Sequence, residues 1–221
     1  LDWRGVQTRT THDDSGQRLS EVRAFGSSDQ LSSFFTWSGS DLVKREDRGS
    51  NGALLRTTTY SYHLTGLGAG RMASQTVVDA AGTHTRQQSY SYTFHPNGVL
   101  ASQTVSTNLP AGNVQQVTLY NSSGCLTSVS NAANHSTTFA GHNGQCYPAS
   151  STDPNNVVTQ FAWDAAGRLL GATQQLAGGQ RSSSFSYNGR GQLLSSTQSG
   201  VSTLFTRNSA GRVTAVGFAG A

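Results

Sequence analysis

Short runs of alternating hydrophobic and polar residues recur along the whole chain. Phe161-Ala162-Trp163, Phe185-Ser186-Tyr187, Tyr60-Ser61-Tyr62 and Tyr90-Ser91-Tyr92 each set two aromatic side chains at positions i and i+2. In an extended strand those positions share a face, because successive side chains point to opposite sides. Each run leads into a polar segment and a Gly, then an aliphatic residue that opens a second alternating run. The Asp or Asn ahead of the Gly can bond the turn backbone, and Gly supplies the positive φ of a tight hairpin. No segment sustains the i, i+3, i+4, i+7 apolar spacing of an amphipathic helix. The pattern predicts an all-β chain of tandem β-hairpins forming a long twisted antiparallel sheet that can curl, with little helix.

The hairpins are copies of one another. The clearest unit is Phe161-Ala162-Trp163-Asp164-Ala165-Ala166-Gly167-Arg168-Leu169-Leu170. It recurs as Phe185-Ser186-Tyr187-Asn188-Gly189-Arg190-Gly191-Gln192-Leu193-Leu194 and as Phe205-Thr206-Arg207-Asn208-Ser209-Ala210-Gly211-Arg212-Val213. Looser copies turn at Gly16, Asp41, Gly70, Gly98, Gly124 and Gly144, which join Gly167, Gly191 and Gly211 as expected turn residues. Asp41 fills the Gly position because Asp visits the left-handed region more readily than most residues. The result is about nine units of roughly 20 to 30 residues, the period of stacked supersecondary units. Residues 1–221 read as one repeat domain, with residues 1–9 as an N-terminal cap or edge strand and 217–221 as a C-terminal edge.

These residues resemble a known family. Trp163-Asp164-Ala165-Ala166-Gly167-Arg168-Leu169 is similar to the YD-repeat motif (Tyr-Asp-x-x-Gly-Arg-Leu) of Rhs proteins, with Trp in place of Tyr. Tyr187-Asn188-Gly189-Arg190-Gly191-Gln192-Leu193 and Tyr120-Asn121-Ser122-Ser123-Gly124-Cys125-Leu126 match with Asn for Asp, and His12-Asp13-Asp14-Ser15-Gly16 keeps the Asp and the Gly. The resemblance covers roughly residues 8 to 216. It implies hairpins joined side by side in a strip that, in larger members, spirals into a hollow shell around a toxin. Those members use many more repeats. The chain also carries no Asp-Pro-x-Gly core-end motif; Asp153-Pro154-Asn155 lacks the Gly and lies between repeats.

Composition fits this picture. Only 12% of the 221 residues are charged and 34% are hydrophobic, with 25 Gly. No run approaches the roughly 20 apolar residues of a membrane-spanning helix. Three Trp, seven Tyr and nine Phe argue against a disordered chain. The net charge of +4 suggests a nucleic-acid partner, but Lys44 is the one lysine and no basic residue lies between Arg86 and Arg168. Phosphate binding needs clustered cations, so no nucleic-acid partner is expected. Sparse Lys and Glu lean toward an extracellular or bacterial cell-surface setting.

Few residues nominate chemistry. Cys125 and Cys146 follow the turn Gly of consecutive repeats, so neighbouring rims bring them together; a disulfide is expected in an exported β-protein, with two free thiols as the alternative. His12, His63, His84, His95, His135 and His142 sit singly, without metal-ligand spacing, and neither metal nor cofactor is expected. Asp13-Asp14 reads as a turn pair, and Glu46-Asp47 lies in a charge-rich run, Lys44 to Arg48, that reads as a solvated loop. Gly66-Leu67-Gly68-Ala69-Gly70 reads as an enlarged hairpin turn. No catalytic residue stands out. Tyr60, Tyr62, Tyr90, Tyr92, Phe161, Trp163, Phe185 and Tyr187 recur at equivalent places. They form either a structural ladder across adjacent hairpins or an exposed platform for sugar rings, with Tyr60, Tyr62, Tyr90, Tyr92, Trp163 and Tyr187 as the carbohydrate-binding candidates. The apolar, uncharged C-terminus invites self-association as a dimer or head-to-tail polymer. The expected function is a non-enzymatic extracellular or surface scaffold for adhesion, assembly or envelope structure. The alternatives are a carbohydrate-binding module and a released fragment of an Rhs-type shell.

Overall fold

A computed structural model describes residues 6–220. Hairpin turns every ten or so residues leave room for strands and almost nothing else. The chain forms β1 (Thr8–His12), β2 (Arg18–Arg23), β3 (Leu31–Ser38), β4 (Asp41–Arg48), β5 (Leu54–Tyr62), β6 (Met72–Asp79), β7 (Thr85–Phe94), β8 (Leu100–Leu109) and β9 (Gly112–Tyr120). It continues through β10 (Leu126–Ser130), β11 (Ser136–Ala140), β12 (Ser150–Thr152), β13 (Val158–Trp163), β14 (Leu169–Leu176), β15 (Gly179–Tyr187), β16 (Leu193–Gln198), β17 (Val201–Arg207) and β18 (Val213–Ala219). A single 3-10 turn, Gly66–Gly68, sits in the enlarged loop between β5 and β6. The fold is all-β, with the strands in one open antiparallel sheet. Residues 1–5 of the expected N-terminal cap lie outside the described residues; the first strand begins at Thr8.

Two compact units make up the chain. Unit 1 holds residues 6–94 with Gln103–Gln116, and unit 2 holds His95–Ser102 with residues 117–220. In unit 1, consecutive strands from β1 to β7 pair antiparallel. In unit 2, the same meander runs from the last residues of β9 through to β18.

One turn recurs in both units. Asp164 N donates to Arg168 O at 3.0 Å and Gly167 N to Asp164 O at 3.0 Å. Asp164 Oδ1 then accepts from the backbone N–H groups of Ala166 and Arg168, both at 2.9 Å. Asn121, Asn143 and Asn188 make the same two side-chain bonds to residues two and four ahead. Gly167 takes φ +78°, the left-handed residue that closes a three-residue hairpin loop.

Past most of these hairpin turns the ladder slips by one. Trp163 pairs with Leu169 but Ala162 pairs with Gly171, so Leu170 is an unpaired bulge residue. Leu194 is skipped in the same way between Leu193 and Ser195, as is Ala73 between Met72 and Ser74. The bulge explains the Leu-Leu pair of the motif: the first Leu stands opposite the aromatic residue, and the second is the extra residue that re-aims the return strand.

Two turn assignments shift. Asp41 opens β4, and the left-handed residue of that hairpin is Gly39, at φ +60°. Gly144 lies in its turn but without positive φ; the Gly position there belongs to Cys146, at φ +66°. The run Lys44 to Arg48 is strand β4, not a loop. Its alternation puts Lys44, Glu46 and Arg48 on one face and Arg45 and Asp47 on the other, and each set pairs internally. Asp47 is 2% exposed, the largest fully buried side chain among the described residues.

Candidate functional site

The face with aromatic residues at alternate positions is the natural place to look for a binding surface. Tyr60, Tyr62, Tyr90, Tyr92, Phe161, Trp163, Phe185 and Tyr187 are all half-buried, while the residues between them, such as Ser61 and Ser186, are exposed. Equivalent residues of successive hairpins lie two strands apart, roughly 9.5 Å given a strand spacing of about 4.8 Å. Ring pairs need centroids within about 4.5–7 Å. The rings therefore do not stack from hairpin to hairpin into a ladder. The structure bridges the gap with the polar tips instead.

The bridge is the same bond each time. Tyr62 Oη donates to Leu42 O at 2.9 Å, Tyr92 Oη to Met72 O at 3.1 Å and Tyr187 Oη to Leu169 O at 2.9 Å. Trp37 Nε1 donates to Arg18 O and Trp163 Nε1 to Pro148 O, both at 2.8 Å. In each case the acceptor is the first residue of the return strand, or its counterpart, in the preceding hairpin. Arg207 fills this place in the last repeat: its Nε and Nη2 both donate to Leu193 O at 3.2 Å. Burial raises the Tyr62 and Tyr92 hydroxyls above the ordinary tyrosine pKa.

Four of the six carbohydrate-binding candidates, Tyr62, Tyr92, Trp163 and Tyr187, thus spend their polar tips inside the sheet. Several ring faces are also occupied. The Arg168 guanidinium lies 5.0 Å from the Tyr187 ring and that of Arg71 5.4 Å from the Tyr92 ring. Tyr147 stacks on Trp163 at 4.9 Å. Tyr60 and Tyr90 share the face without a bond of this kind, although the Tyr90 carbonyl accepts from His63 Nε2 at 3.1 Å. His95 Nε2 likewise donates to Tyr120 O at 2.9 Å. These His occupy the Asp position of the motif and staple toward the following hairpin, a role that isolated His residues do not advertise in sequence.

The turn rims carry a second set of cross-hairpin bonds. Arg168 Nη1 reaches Asn188 O at 3.3 Å while its Nε pairs with Asp164 Oδ2 at 2.6 Å. Backbone N–H groups and this guanidinium hold the Asp164 carboxyl below its ordinary pKa. Arg190 Nη1 donates to Ser209 O at 2.9 Å and Gln17 Nε2 to Gly39 O at 2.7 Å. A disulfide joins Cys125 to Cys146 across consecutive turns, with Cα atoms 5.0 Å apart and the two residues 21 positions apart in sequence. In the chain-entropy view that closure is worth about 3 kcal/mol. Cys125 is also the one buried hydrophobic side chain among the described residues. Tight packing at a rim shows at Gly167, where a Cβ would run into the Tyr147 ring.

Charged chemistry concentrates in unit 1. Asp47 accepts from Ser33 Oγ at 2.6 Å, Arg45 Nε at 2.8 Å and Arg56 Nε at 2.6 Å. Glu21 pairs with Arg18 and Arg23. Asp79 accepts from Thr83 and from His84 Nδ1 at 2.8 Å, which draws its pKa far down. Both Thr83 Oγ1 and Asp79 meet the same ring nitrogen, so the trio lacks the two-sided imidazole of a catalytic triad. No group of three or more His, Cys, Asp or Glu suited to a metal occurs among the described residues. No helix is long and apolar enough to cross a membrane.

Comparison with known proteins follows the same line. The RHS Repeat family model matches residues 148–181. No curated protein matches the chain by sequence. Among solved structures, the crystal structure of TcdB2-TccC3-TEV is 11% identical with a TM-score of 0.50 over 93% of this chain and 12% of that one. The crystal structure of TcdB2-TccC3-Cdc42 is 13% identical with a TM-score of 0.51 over 96% of this chain and 14% of that one. At these identities the likeness is one of fold, and this chain spans about an eighth of their length. The matched segment contains the Trp163 staple and the Asp164 turn, and both devices occur elsewhere along the chain; over residues 148–181 the chain resembles an RHS repeat.

Proposed function

We propose that the chain is a non-enzymatic β-repeat scaffold that works outside the cell or on its surface, in adhesion, assembly or envelope structure. One observation carries this reading. Four of the six side chains expected to form a binding face, and Trp37 with them, are spent instead on bonds between neighbouring hairpins. A scaffold needs ends that join. In β18 all seven residues are exposed, with Val216 at 49% and Phe218 at 78%, and the strand carries neither charge nor Pro. Such a strand is a template for pairing with another chain. The proposed joint is β18 of one copy against the first hairpin of the next. Light scattering across a concentration series is expected to give a mass that rises above 23.3 kDa, and Val216→Lys with Phe218→Lys is expected to hold it there. A monomeric mass at every concentration overturns assembly through this strand.

A second reading, a piece of an Rhs-type shell, is supported by the small share of the TcdB2-TccC3 chains that this chain covers. An antibody raised against the chain would then detect a much larger precursor in its source. A native band of 23.3 kDa alone removes that reading.

A further inference from the structure

Positive and negative residues balance in number along the chain as far as Asp164, and not beyond it. Of 15 basic and 11 acidic residues, five Arg and no Asp or Glu fall after residue 164, which leaves 10 basic against 11 acidic up to and including it. The entire positive excess therefore belongs to Arg168, Arg181, Arg190, Arg207 and Arg212. Arg168 is neutralised by Asp164. The other four have no carboxylate partner among the described residues, in contrast to Arg18, Arg23, Arg45, Arg48 and Arg56 of unit 1.

Two of the unneutralised groups share a hollow. Between the turns at Asn188 and Asn208 lies an open depression of about 480 Å³, lined among others by Arg190, Gln192, Leu194, Arg207 and Ser209. Its volume falls within the roughly 300–1,000 Å³ of small-molecule sites. Backbone bonds fix both guanidinium groups. Arg190 is anchored by one N–H to Ser209 O, and Arg207 by bonds to Leu193 O and Gly211 O. Carbonyl partners hold position without cancelling charge, and a guanidinium has five N–H donors, so capacity remains. Leu194, 37% exposed, adds an apolar surface.

Arg207 makes the case specific to this place. The stapling position holds Trp37, Tyr62, Tyr92, Trp163 and Tyr187 in other hairpins, all neutral. Arg207 performs the same bond and adds a charge beside Arg190. A scaffold role alone does not call for that charge.

We propose that the hollow between the Asn188 and Asn208 turns binds an acidic polysaccharide, with Arg190 and Arg207 gripping the carboxylate or sulfate groups of successive sugars. Guanidinium forks match both anions in geometry, and the open hollow lets a chain run on past it. Nucleic acid fits less well, since no aromatic side chain lines the hollow to stack a base and two cations are few for a phosphate backbone.

Calorimetric titration of the full chain with polygalacturonate (carboxylate) and heparin (sulfate) tests this, with neutral dextran and a single-stranded oligonucleotide alongside. Saturable binding is expected for at least one acidic polysaccharide, weakening as salt is raised, and none for dextran. Arg190→Gln lies on an exposed turn and is expected to weaken binding several-fold. Arg190→Gln combined with Arg207→Tyr, which restores the aromatic staple, is expected to weaken it at least tenfold. Arg181→Gln, outside the hollow, is expected to leave it unchanged. Failure to bind either acidic polysaccharide, full binding by the Arg190→Gln and double variants, or tighter binding of the oligonucleotide overturns the proposal.

Discussion

Asp47 is a charged residue in the place where most proteins keep a Leu. Burial works against its charge, but the bonds from Ser33, Arg56 and Arg45 outweigh that cost and hold its pKa below the ordinary 3.8. A carboxyl depressed in the fold stabilises it fully above its unfolded pKa, and that contribution is lost as pH falls through the folded value. Glu21 and Glu46 shift the same way, held down chiefly by Arg23 and by Lys44. Urea midpoints are therefore expected to be level from pH 7 to about 5 and to drop below about 4. Asp47→Asn is expected to show a shallower drop. At neutral pH, Asp47→Ala is expected to cost about 2–3 kcal/mol, less than a fully buried pair because Arg56 is half exposed. An unchanged acid limb in Asp47→Asn would place the pH sensitivity elsewhere. None of this was legible in a run of five charges, Lys44 to Arg48, which reads as solvated until strand alternation sorts it onto two faces.

Among elements, the hairpin is the unit, and the staple is a recurring tie to the neighbour beyond the backbone ladder. Tyr60 and Tyr62 sit two residues apart on β5 and share a face, but Tyr62 Oη alone reaches a carbonyl of the preceding hairpin. Tyr62→Phe is expected to destabilise unit 1 by about 1 kcal/mol, the usual net worth of one such bond, while Tyr60→Phe is expected to change little. Chemical denaturation of both variants checks this, and no loss in Tyr62→Phe would mean that the ring, not the hydroxyl, carries the tie. The repeated turns were readable where Asp or Asn precedes a left-handed Gly, as at Gly16, Gly124, Gly167 and Gly191. They were missed where Asn134 or Asn156 takes the left-handed position, and the left-handed residue was misplaced from Cys146 to Gly144, because the signal then rests on geometry that no residue type announces. The staples were half readable. Their donors are the motif aromatics, but their acceptors are backbone carbonyls of Arg18, Leu42, Met72 and Pro148, and any side chain can sit there.

At the scale of the whole molecule, the described residues bury one hydrophobic side chain, Cys125, and several polar ones. Stability thus rests on ladders, staples, rims and the disulfide more than on apolar burial. The heat-capacity change of unfolding tracks exposed apolar area, so calorimetry is expected to give less than the roughly 2.7–3.3 kcal/mol/K that 221 residues usually show. A value in or above that range would point to apolar surface buried in an associated state. The staple also has a direction. In the aromatic and Arg207 staples the donor lies in the later hairpin and the acceptor in the earlier one, from Trp37 to Arg18 through Arg207 to Leu193, whereas His63, His95 and the rim donors Gln17, Arg168 and Arg190 bond toward the following hairpin. Each run of staples is therefore polar in the sense that a microtubule is: the two directions along it are not equivalent. A joint that sets unlike ends together can continue the sequence of donors and acceptors. A symmetric joint sets like sides face to face and continues neither the staples nor the oppositely directed rim bonds, so a head-to-tail order is the one that extends both sets.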